Sequence, residues 1–149
     1  MAYQLTRQDA DRLVSLPKRI NEPMRWTRVQ GTTDRYECRA IVTGDALEEH
    51  MFLRGTVGKT NWSFVLVVEP DMAIRKLTIH SAGHTNPEGS DAGTHHKHIW
   101  DEVTRDRATY YPHDIDFSDI NAALLGFLKE SNITPSFPPE QLMIERRLR

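Results

Sequence analysis

The chain carries one cysteine, Cys38, among 149 residues. A single thiol excludes an internal disulfide and a cysteine zinc cage, so the fold must rest on packing. Apolar runs are short, and none approaches the ~20 residues that span a bilayer. The opening Met1-Ala-Tyr-Gln-Leu-Thr-Arg-Gln-Asp9 lacks the apolar stretch of a signal peptide. These absences predict a reducing, cytoplasmic setting and no membrane partner. Gly-x-Ser-x-Gly, His-Glu-x-x-His and Gly-x-Gly-x-x-Gly are all missing, which removes common signatures of serine hydrolases, zinc proteases and dinucleotide enzymes. Gly58-Lys-Thr60 has Leu53 where a phosphate loop needs glycine, and a strand-like run follows it. It reads as a hairpin turn.

What is present fits one ordinary domain over residues 1–149, with 38% apolar and 27% charged residues. The net charge is −2 but is unevenly spread. Residues 1–31 hold six basic side chains against three acidic ones; residues 80–120 hold three basic against eight acidic. An acidic neighbourhood favours cations and proton transfer over polyanions.

Periodicity predicts an α+β domain. Thr6 suits an N-cap, with Ala10, Leu13 and Val14 as the buried stripe of an N-terminal helix that Pro17 ends. Residues 18–34 read as irregular, anchored by Trp26. Tyr36, Cys38, Ala40 and Val42 alternate with charged residues as in a half-buried strand. Leu47 to Val57 suits a second strand. Trp62 to Glu69 is nearly continuous and β-branched, hence a central strand buried on both faces, and Ile74 to His80 is a fourth. Residues 81–93 read as loop from their Gly, Asn-Pro, Ser and Asp content, and His95–Trp100 as a short extended segment. Ile120, Leu124, Phe127 and Leu128 mark a helix at about 117–131, closed by Asn132 and Pro135. Pro138 can open a last short helix carrying Leu142 and Ile144. The expectation is a mostly antiparallel sheet of four to five strands, packed by the two longer helices.

Six of the seven histidines fall between His80 and His113. Histidine exchanges protons near neutrality and is the commonest metal ligand. Two chemistries suit this cluster. In the first, a small nuclease-like protein cleaves RNA with no cofactor. His84 and His98 serve as the acid/base groups with His96 as a partner, and Lys97 or Arg75 is the cation facing the phosphorane. In the second, His84, His96, His98 and Glu102 hold a divalent transition metal: zinc, nickel, manganese or iron. A third reading is a non-catalytic interaction protein with structural histidines, of which His98 can pin the 81–93 segment. His96-Lys-His98-Ile-Trp-Asp-Glu102 resembles the first metal motif of the cupins, but lacks its flanking glycines and any second motif.

Gly83-His-Thr-Asn86-Pro-Glu-Gly89, His96-x-His98-x-Trp100, Tyr110-Tyr-Pro112, Gly126-Phe-Leu128 and Ser131-Asn-Ile133 follow in order. Over about residues 75–137 this pattern resembles a family of small uncharacterised bacterial and phage proteins. The resemblance implies an α+β domain with clustered histidines, often encoded on mobile elements, as toxins and defence or anti-defence factors are. The partners expected from these readings are RNA or a protein encoded nearby.

Overall fold

The computed structural model describes residues 5–32, 34–58, 61–85, 91–101, 103, 105–110 and 120–142. Residues 61, 79–85, 91–97 and 106–110 are described by backbone pairing alone. The elements run α1 (Arg7–Ser15), β1 (Lys18–Ile20), β2 (Thr27–Arg28), β3 (Tyr36–Val42), β4 (Met51–Val57), β5 (Asn61–Val68), β6 (Met72–Thr85), β7 (Asp91–Asp101), β8 (Arg105–Tyr110), α2 (Ile120–Glu130) and β9 (Ile133–Pro135).

Helix α1 begins where its caps dictate. The Thr6 hydroxyl accepts from the Asp9 amide at 3.0 Å, and the Asp9 carboxylate accepts from the Thr6 amide at 3.2 Å. Two of the amides that helix geometry leaves open at the N-terminus are thereby satisfied. The far end is closed by Lys18, a residue only 3% exposed. Its Nζ donates to the carbonyls of Leu13, Val14 and Leu16 at 2.6, 2.8 and 2.6 Å. Burial alone would push this amine down to about 8. Three carbonyl acceptors at the negative end of a helix oppose that shift, because only the protonated amine has three hydrogens to donate.

Strands β2 to β8 form one seven-stranded antiparallel sheet in sequence order, and β1 pairs in parallel with β9. The α+β class and the antiparallel sheet agree with the periodicity, but there are more strands than the four or five expected. The extra ones have physical causes. Residues 18–34 lack apolar alternation, yet the Lys18 amide donates to the Asn132 carbonyl at 2.9 Å and β1 zips onto β9. Such pairing across more than a hundred residues leaves no local signal. The expected 81–93 loop is instead strand through Thr85 and again from Asp91, with irregular register around His84. Glycine weakens a strand without forbidding one, and the ladder absorbs the mismatch as bulges. Residues 86–90 lie outside the described set. Pro138 to Leu142 is not helical. Its backbone is held by the Met24 carbonyl and the Asn121 side-chain oxygen, while Ile144 lies outside the described residues.

The core lies between one sheet face and a layer made of α1, α2, β1 and β9. Leu13, Ile20, Leu53, Phe64, Leu66, Leu77, Phe127 and Leu128 are among its fully buried members. Strand β5 is central and buried on both faces, as its unbroken apolar run required. Trp26 meets Phe64 edge-on with centroids 6.4 Å apart, and Phe64 meets Phe127 at 6.2 Å. Gly55 makes room for this stack, since a Cβ there would stand 2.9 Å from Trp26 Cη2. At the sheet edge, Glu22 accepts from the Ile41 amide at 2.7 Å, and Arg19 and Thr43 bridge.

Two consequences are measurable. Replacing Lys18 with Met leaves three helix-end carbonyls without their donor, and unfolding free energy should fall by about 2–4 kcal/mol in a denaturant titration. Burial, with Glu140 and Glu22 adding to it, pushes the Cys38 thiol from 9.0 up to about 11. The native thiol should therefore resist a thiol reagent at pH 8 and react once unfolded. Between pH 9 and 11 the unfolded chain loses a proton that the native chain keeps. Stability should fall as pH rises through that window, and Cys38→Ala should remove that component of the slope.

Candidate functional site

Adjacent strand residues point to opposite faces, so the ladder sorts the polar side chains of the sheet. Cys38, Ala40, Leu53, Phe64, Leu66 and Leu77 take the helix side. On the other side lies a separate small cluster of Phe52, Val65 and Val67, with Ala73 against it. Following the register across this open face gives a transverse row. Arg39 pairs with Arg54, Arg54 with Val65, Val65 with Lys76, Lys76 with His98, and His98 with Thr109. A second row runs Glu37, Thr56, Ser63, Thr78 and is level with His96. A third runs Ile41, Phe52, Val67 and Ala73. This face thus carries three cations in one line, between a row of Glu37 and three hydroxyl residues and an apolar row, and Phe52, Val65, Val67, Thr78 and His98 on it are buried.

The local chemistry follows from the neighbours. The Arg39 guanidinium sits 3.9 Å from the Phe52 ring centroid, a cation–π contact. Thr56 and Ser63 hydroxyls lie 3.1 Å apart. Arg54 is exposed and Lys76 half-buried. Among the described residues, no carboxylate forms a salt bridge with Arg39, Arg54 or Lys76. Acidic groups are present at the margin. Glu48, Glu49 and Glu69 share with Arg39, Ile41 and Phe52 a groove of 520 Å³ at one end of the face.

The sequence-derived site residues divide between these surroundings. His98 is buried, at 8% exposure, level with Lys76. His96 is level with Thr78 and Lys97 with Leu77. His84 is level with Gly93, three residues along β7 from His96 and five from His98. At about 3.3 Å per residue that is roughly 10 and 17 Å along the strand. Arg75 is not brought to this face. It pairs with Leu66 and reaches Asp11 on α1 at 3.7 Å and Glu130 on α2 at 3.9 Å. Its place is the helix side, because a one-residue step from Lys76 reverses the side-chain direction. Glu102 lies outside the described residues. No group of three His, Cys, Asp or Glu side chains converges among the described residues, a set that leaves out the side chains of His84, His96 and Glu102. Trp100 is a core residue whose Nε1 donates to the Leu5 carbonyl at 2.8 Å. No described helix is long and apolar enough to cross a membrane.

Residues 5–133 match the pattern of DUF6978, a family of unknown function. The chain belongs to that family. The match covers α1 and the whole seven-stranded sheet, so the row belongs to the matched region of this DUF6978 chain. No curated protein and no solved structure matches it.

Arg39, Arg54 and Lys76 escape a reading of the sequence alone, since each is one charged residue at a polar strand position. Alternation marks Arg39 as outward-facing, but only the register aligns it with the others. The two cation types on β6 should separate experimentally. Arg75→Ala should cost about 1–3 kcal/mol of stability by removing the cation that ties Asp11 on α1 and Glu130 on α2 to the sheet. Lys76→Ala should change stability by less than about 0.5 kcal/mol. Thermal and denaturant unfolding of both variants checks this.

Proposed function

We propose that the protein is a small RNA-acting, nuclease-like protein that uses histidine acid/base chemistry, of the kind mobile elements carry as toxins or as defence and anti-defence factors. The observation that carries this reading is the ladder position of His98 beside Lys76, at the end of a row that also holds Arg39 and Arg54. A phosphodiester needs cations along its path, and its cleavage needs proton-transfer groups at one point of that path. In this reading Lys76 takes the electrostatic role first expected of Arg75 or Lys97. One histidine of the β7 segment accepts the 2′-hydroxyl proton as the 2′-oxygen attacks phosphorus. A second protonates the departing 5′-oxygen. The products are a 2′,3′-cyclic phosphate and a free 5′-hydroxyl.

The burial of His98 supports a second reading, in which the protein binds its partner without cleaving it and His98 is structural. The two separate cleanly. The test is a 5′-labelled single-stranded RNA incubated with wild type, His96→Ala, His98→Ala and Lys76→Ala, with an all-deoxy oligonucleotide as control. The nuclease reading expects cyclic-phosphate ends, no cut in the deoxy strand, and losses of about 10²-fold or more in the histidine variants. Intact RNA with the wild type, or equal cleavage by every variant, would sink it. A His98→Ala protein with a lowered melting temperature and unchanged partner binding would establish the structural role.

A further inference from the structure

We draw no further inference here: the strongest candidate, the 520 Å³ groove that Ile41, Phe52, Glu48, Glu49 and Glu69 line at the ends of β3 and β4, is an acidic cluster beside a small apolar patch, and nothing in the structure shows what covers it.

Discussion

The ammonium of Lys18 is the contact on which the layer over the core depends. A bare cation in that position would be costly, because burial strips its water. It is tolerated because the end of α1 presents three carbonyls that also need a partner. The same residue begins β1, and its backbone amide reaches Asn132 just past α2. Asn132 returns the contact through Nδ2 to the Ser15 carbonyl at 2.8 Å. The segment after the first helix and the segment after the second are thereby held as one piece. That piece is the lid of the core, and the sheet alone cannot supply it.

Because the lid covers one face, the other is left to the side chains of the strands themselves. Phe52, Val65 and Val67 are buried there as a cluster apart from the main core, and among the described residues no helix joins it. Long polar neighbours cover such residues, as Arg39 does over Phe52. The cations of the open face therefore have two jobs, shielding apolar strand residues and presenting charge. Arg75 makes the contrast clear. One position away from Lys76, it is committed to Asp11 and Glu130 between sheet and helices, and its charge is spent on holding the layers together.

Much of the architecture was legible from local patterns. The cap at Thr6, the alternation from Tyr36 to Val42, the apolar run of β5 and the stripe of α2 all became the elements they suggested. Those signals are strong because each is a direct imprint of burial on a period of 2 or 3.6. Strand β1 was hidden because its partner is β9, and the ends of β6 and β7 were hidden because their turn-forming residues sit inside a paired hairpin. The candidate site was less legible. The histidines announce themselves by density, but the ladder places His84 along the hairpin from His96 and His98 instead of level with them. The cationic row was invisible for a different reason. Its members are 15 and 22 residues apart, and only register, which tertiary packing sets, puts them in line.

The Glu22 carboxylate at the Ile41 amide has an outcome beyond the single bond. Among the described residues, β3 is paired along its outer side only by β2 at Tyr36 and Glu37, with the Arg19–Thr43 bridge just past its end. An open border of that kind recruits copies of itself into ribbons. A charged oxygen docked on one of its donors repels a second backbone and removes a rung that polymerisation would need. The protein can then leave much of that border unpaired without its becoming the seed of a fibre.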